Sequence, residues 1–223
     1  SISIAADQER FEELKRGVDY YRFQANPIPR NSKYAMVKYR KGIYRVLLVD
    51  PTDQNKTLLK AGILNNQAEL NPNYPLMAWD PKGSMLLVIY PEKGKIRMFV
   101  YDLVKKLKLH KQEITDFQLI QDAKFMLNNN TLLLSAVKNG QSDIFKYNIQ
   151  DQKVDQITND VYNDIDPSFA AFPNKSGIVF ASNRPAGDAP RADTAIPSRN
   201  HYNIFMVDPN VKSDYRQITQ LTN

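Results

Sequence analysis

A recurring β-hairpin constrains this chain more than any other feature. Predicted strands 34–39 and 43–49 flank Arg40-Lys41-Gly42, and strands 85–90 and 96–101 flank Pro91-Glu92-Lys93-Gly94. Strands 131–137 and 143–147 flank Lys138-Asn139-Gly140, and strands 177–182 and 203–207 flank a long insertion. Turn residues between apolar runs are the hairpin signal. The second strand of each hairpin closes on Asp50, Asp102, Asn148 or Asp208, spaced 52, 46 and 60 residues apart. A polar strand follows each hairpin, and an aromatic-bearing strand around Trp79, Phe125 or Phe169 precedes the last three. Four short strands per unit at this period are the signature of radially stacked sheets, the blades of a β-propeller. Burial supplies the reason. A blade has two apolar faces, and stacking on its neighbours hides both.

Composition agrees with a packed domain. Among 223 residues, 42% are hydrophobic and 24% charged, with a formal net charge of +6. No run approaches the length of a membrane span. The chain has no Cys, which removes disulfides and thiolate chemistry, and only two His, which removes a multi-His metal centre. The densest basic run, Lys105 to Lys111, alternates like the polar face of a strand and lacks a phosphate-cradling loop, so no nucleic-acid partner is expected. One helical pattern stands out over residues 8–20, with Phe11, Leu14 and Val18 on one face behind Asp7 as cap. Residues 1–5 alternate like a strand able to close a propeller. The organisation expected is therefore an all-β chain, with an extension over 1–24 and blades over 25–223.

Several segments resemble the TolB-type, WD40-like (PD40) repeat. They are Asp166-Pro167-Ser168-Phe169, Pro173-Asn174-Lys175-Ser176-Gly177 running to Ser182-Asn183-Arg184, Asn203-Ile204-Phe205-Met206-Val207-Asp208, and Arg216-Gln217-Ile218-Thr219. Trp79-Asp80-Pro81-Lys82-Gly83, Asp143-Ile144-Phe145-Lys146-Tyr147-Asn148 and Tyr44 to Asp50 are less complete copies. The resemblance covers about residues 25–223. It implies a non-catalytic platform that binds a protein or peptide partner, exported to the periplasm of a bacterial envelope. Such blades also serve as gating propellers of prolyl-oligopeptidase-like enzymes, and a carbohydrate-binding propeller is a third reading. The chain departs from the family in showing four clear copies where six or more are usual, and in lacking an evident α/β domain ahead of them. Excision from a longer protein is the reading preferred for that difference.

The candidate site residues follow from these segments. Asn163-Asp164-Ile165-Asp166-Pro167 is the densest carboxylate cluster. It reads either as turn capping or as a weak cation site at Asp164 and Asp166, where a structural Ca²⁺ would be the one cofactor to consider. Along an extended segment the two carboxylates face opposite ways, which argues against a catalytic pair. Arg184 reads as a structural tie or as a ligand for a partner carboxylate. The insertion over 185–202 far exceeds a hairpin's needs, and such loops on rigid scaffolds often bind. Arg191, Arg199, His201 and Tyr202 are its candidate partner contacts. No nucleophile elbow, Walker loop or dinucleotide fingerprint is present, so no enzyme activity is expected.

Overall fold

The computed structural model describes residues 20–62, 74–173, 175–185, 201–211 and 216–222. The described residues form strands and turns and no helix. The helical pattern expected from residue 8 and the closing strand over residues 1–5 lie outside them, apart from Tyr20, which starts a strand.

The chain divides into two compact units, Ser1–Thr115 and Asp116–Asn223. Each contains two four-stranded antiparallel sheets. In the first unit, β1 (Tyr20–Ala25), β2 (Tyr34–Arg40), β3 (Ile43–Val49) and β4 (Lys56–Gly62) form sheet A in that order. The strands β5 (Leu76–Trp79), β6 (Met85–Glu92), β7 (Lys95–Asp102) and β8 (Leu107–Glu113) form sheet B. In the second unit, β9 (Leu119–Phe125), β10 (Thr131–Lys138), β11 (Gln141–Asn148) and β12 (Val154–Gln156) form sheet C. Sheet D comprises β13 (Asp164–Phe172), β14 (Lys175–Ser182), β15 (Asn203–Val207) and β16 (Ile218–Gln220). All four sheets run in sequence order, so each is a meander built from consecutive hairpins. Sheet A takes in Tyr20–Ala25, which pair with β2, although those residues carried a helix end and extension in the sequence pattern.

Two local devices repeat. The central residues of three hairpin turns, Lys41-Gly42, Lys93-Gly94 and Asn139-Gly140, all have φ between 50° and 75°. Positive φ at both central positions defines a type I′ turn, whose twist matches that of the strands, and glycine suits its second position. The second device explains the recurring Asp or Asn. Asp50, Asp102, Asn148 and Asp208 each accept, through Oδ1, the backbone N–H of the residue two positions on, at 2.9–3.1 Å. The side chain thus stands in for a backbone turn bond.

Burial shows which sheet faces are packed. In β2 it alternates strictly: Ala35, Val37 and Tyr39 are buried, and Met36 and Lys38 are half-exposed. The buried set joins Tyr44, Val46 and Leu48 of β3, and packs on Trp79, Leu86, Val88, Phe99 and Tyr101 of sheet B. Trp79 anchors this interface by donating its indole N–H to the Gln24 carbonyl at 3.1 Å. In β6 the run Leu86-Leu87-Val88-Ile89 is buried without interruption, so both faces of sheet B are covered. In the second unit Leu133, Ile144, Ile178, Phe180, Phe205 and Val207 join sheets C and D, with Phe169 against them.

Candidate functional site

The second unit buries an unusual number of charges where sheets C and D meet. Asp143 lies near the start of β11, Asp164 opens β13, and Arg184 stands two residues past β14. Asp160 comes from the loop between β12 and β13. One carboxylate oxygen from each of the three aspartates lies within 4.8 Å of the others.

Arg184 fills the middle. Its Nη2 donates to both oxygens of Asp164, at 2.9 and 3.0 Å, and reaches Asp160 Oδ2 at 2.9 Å. Its Nε donates to Ser182 Oγ at 2.9 Å. The rings of Tyr162, Phe180 and Phe205 surround the guanidinium carbon at 5.3–5.4 Å. A planar cation held by charge-assisted hydrogen bonds and ring faces suits arginine rather than lysine. Asn183 secures the loop beside it, accepting the Asn163 N–H through Oδ1 at 2.7 Å. On the sheet C side, Ser135 and Ser142 place their hydroxyls 2.8 and 3.3 Å from the Asp164 carbonyl, and both also reach Gln121 Oε1. The segment Ser182-Asn183-Arg184 therefore clamps the start of β13 to the end of β14, and Ser135 and Ser142 tie that start to sheet C.

One guanidinium cannot neutralise three carboxylates. Asp143 receives only long contacts, from Thr158 Oγ1 at 3.3 Å and from Gln156 Nε2 and the Asp160 N–H at 3.4 Å. Burial, then the charges of Asp164 and Asp160, push its carboxyl up to about 7. Burial also raises Asp164, with Asp160 adding to the shift and Arg184 opposing it.

Arg184 is buried, with its hydrogen bonds directed inward, so its placement removes it from the set of partner contacts and favours the structural tie. Asp164 and Asp166 do not converge. Asp164 is buried on Arg184, whereas Asp166 is exposed at a β-bulge with φ of 51°. The bulge instead brings Asp166 beside Asp122 of β9, whose carboxyl is raised by burial and by that neighbour. The carboxylates that do converge with Asp164 are Asp143 and Asp160. Asp143 was missed because its role comes from sheet packing, although Asp160, only four residues before Asp164, was within reach of a local scan. Calcium fits this set poorly: the oxygens it would use already hold a guanidinium, and a second cation beside that group is repelled. His201 and Tyr202 are exposed just before β15. Arg191 and Arg199 lie outside the described residues.

No protein-family model matches the chain, and no curated protein matches it in sequence. Solved structures do match. TolB from Acinetobacter baumannii aligns with a TM-score of 0.60 at 14% identity, over 92% of this chain and 44% of that one. Pyrococcus horikoshii acylaminoacyl peptidase aligns with a TM-score of 0.57 at 11% identity, over 92% of this chain and 32% of that one. The tricorn protease aligns at 0.53 and 15% identity, over 90% of this chain and 20% of that one. The chain thus spans less than half the length of each of these proteins. At such identities the likeness establishes the fold, and that fold is a TolB-like β-propeller of four-stranded blades.

Proposed function

We propose that the chain is a non-catalytic protein- or peptide-binding propeller module of a bacterial cell-envelope protein. The observation that carries this reading is how the buried carboxylates are used. Asp160 and Asp164 bind Arg184, and Asp143 is held at a raised pKa behind them, so the densest acid cluster works as a clamp between two sheets. A stiff sheet framework with a long insertion between two strands is the usual arrangement of a binding scaffold. Arg191, Arg199, His201 and Tyr202 of that insertion are the proposed partner contacts, and no cofactor is required. Export to the periplasm follows from the repeat resemblance. Among the described residues no helix is long and apolar enough to cross a membrane.

A photo-crosslinking amino acid at position 202, in cells that make the protein, tests this. A discrete crosslinked polypeptide in the envelope fraction, lost when Arg199 and His201 are changed to Ala, is the expected result. Absence of any crosslink, together with turnover of a peptide or oligosaccharide substrate by the purified protein, overturns it. A second reading, the gating propeller of a peptidase, draws support from the acylaminoacyl peptidase likeness. It predicts co-purification with a serine hydrolase that reacts with a fluorophosphonate probe.

A further inference from the structure

Where sheets A and B meet, their outer edge strands carry a group of lysines that the insertion-side reading does not use. Sheet A ends on β4 and sheet B on β8, both edge strands with mostly exposed or half-exposed side chains. Between them lies a floor of two buried rings from β7, Phe99 and Tyr101. As alternate residues of one strand these rings share a face, about 7 Å apart. Lys56 of β4 holds its Nζ 5.0 Å from the centre of the Tyr101 ring, and Lys108 of β8 holds its Nζ 4.7 Å from that of Phe99.

A bulge adds a third cation. Leu109 pairs with Val100 and Gln112 with Met98, so two residues, His110 and Lys111, stand opposite Phe99. His110 takes up the extra residue with a φ of 52°. Strict alternation would put Lys108, His110 and Gln112 on the ring-bearing face. The bulge resets it, so that Lys111 shares that face with Lys108 while Gln112 turns to Met98. Burial, then the charges of Lys111 and Lys56, lower the Lys108 ammonium from the usual lysine value. Among the described residues none of the three lysines pairs with a carboxylate. Glu113, the one acid of β8, pairs with Lys95. Ring faces offset only part of the repulsion among three gathered cations. The groove lies within one unit, between two sheets that are both described. Tyr20, Gly62 and Tyr74, where the described segments of this unit begin or break off, stand at the other end of the sheets. There Tyr20 pairs with Tyr39, Tyr39 with Tyr44 and Tyr44 with Ala61, and the Tyr39 hydroxyl donates to the Tyr74 carbonyl.

We infer that Lys56, Lys108 and Lys111 form a binding site for a phosphomonoester dianion at the outer rim between sheets A and B. A terminal phosphate carries about −1.5 to −2 charges at neutral pH and three strong acceptor oxygens, which suits three ammoniums. It can accept a charge-assisted hydrogen bond of about 2.8 Å from each of two ammoniums standing over neighbouring rings. A carboxylate brings only a single charge. Nucleic acid fits less well, because its internal phosphates carry one charge each, and Phe99 and Tyr101 lie buried beneath the ammoniums, out of reach of stacking bases. The same dianion occurs on soluble phosphate esters and on a lipid headgroup such as phosphatidic acid.

The test is a titration of the isotope-labelled full chain with methyl phosphate, read from the backbone amide signals of residues 56–60 and 105–113. It is run at fixed ionic strength and pH 8, above the second phosphate pKa of about 6. Dimethyl phosphate, oligoglutamate and oligo-dT are the controls. The expected result is saturable shifts centred on those residues with methyl phosphate alone. Lys56→Gln or Lys108→Gln should weaken binding by about tenfold, whereas Lys105→Gln, in the turn ahead of β8, should leave it intact. Unchanged or raised thermal stability separates these losses from misfolding. Flotation with phosphatidic acid vesicles, but not with phosphatidylglycerol vesicles, supports the site with a lipid headgroup as its ligand. Methyl phosphate binding without flotation supports it with a soluble ester. Equal shifts with dimethyl phosphate, tighter binding of oligoglutamate or oligo-dT, or a titration that Lys108→Gln leaves unchanged would each overturn the inference. The site belongs to the first unit and position 202 to the second, so the crosslinking result there neither supports nor removes it.

Discussion

Replacing Asp143 by Asn isolates the charge imbalance at the clamp. The carboxyl stands at about 7, against 3.8 for an ordinary aspartate. The folded chain therefore keeps this proton where the unfolded chain has lost it. Between about pH 4 and 7 the native state binds more protons, so stability falls as pH rises through that window and levels off above it. A gap of this size corresponds to roughly 4 kcal/mol, and solvent relaxation near the loop that carries Asp160 brings the expected effect to about 2–3 kcal/mol. Asp164 is shifted in the same direction, so the informative quantity is the difference between variant and parent. Near pH 3 Asp143 is neutral in the folded and the unfolded chain alike, and Asp143→Asn should match the parent within about 0.5 kcal/mol. At pH 8 the variant should be the more stable by the full amount. The lone tryptophan, Trp79, reports on the first unit, so the readout is urea unfolding by far-UV circular dichroism, with hydrogen exchange over residues 141–148 and 175–185. A variant-to-parent difference that stays constant from pH 5 to 8 refutes the reasoning.

Three further outcomes follow from the geometry. Arg184→Met leaves Asp164 buried and unpaired, and should cost about 3–5 kcal/mol in thermal unfolding, much of it recovered by adding Asp164→Asn. Gly94→Ala meets no atom within 4 Å but keeps φ at +75°, so its cost, about 1 kcal/mol by denaturant titration, should be purely conformational. Calcium at millimolar concentration should leave the melting temperature unchanged, and a rise abolished by Asp160→Asn would show a metal site at the clamp.

Much of the architecture was legible because it is written locally. Lys41-Gly42, Lys93-Gly94 and Asn139-Gly140 announce tight hairpins through backbone preferences that need no tertiary partner. The recurring Asp50, Asp102, Asn148 and Asp208 announce turns because each side chain bonds an amide two residues away. The uninterrupted apolar runs of β6 and β10 already imply sheets buried on both faces. The strand Tyr20–Ala25 was not legible, since its short mixed pattern follows directly on an amphipathic one and its pairing with β2 reveals it.

The candidate site divides along the same line. By itself the sequence determined the hairpin repeat, the turn chemistry and the presence of Asp164 and Arg184 at the ends of neighbouring strands. Tertiary structure alone decided that Arg184 points inward and that Asp143 joins Asp160 and Asp164 while Asp166 turns away. The physical reason is range. Turns and strand alternation arise from interactions a few residues apart. A buried ion cluster depends on which strands and sheets meet, and the contacts that hold Asp164 to Arg184, Ser142 and Ser135 join residues 20, 22 and 29 positions apart.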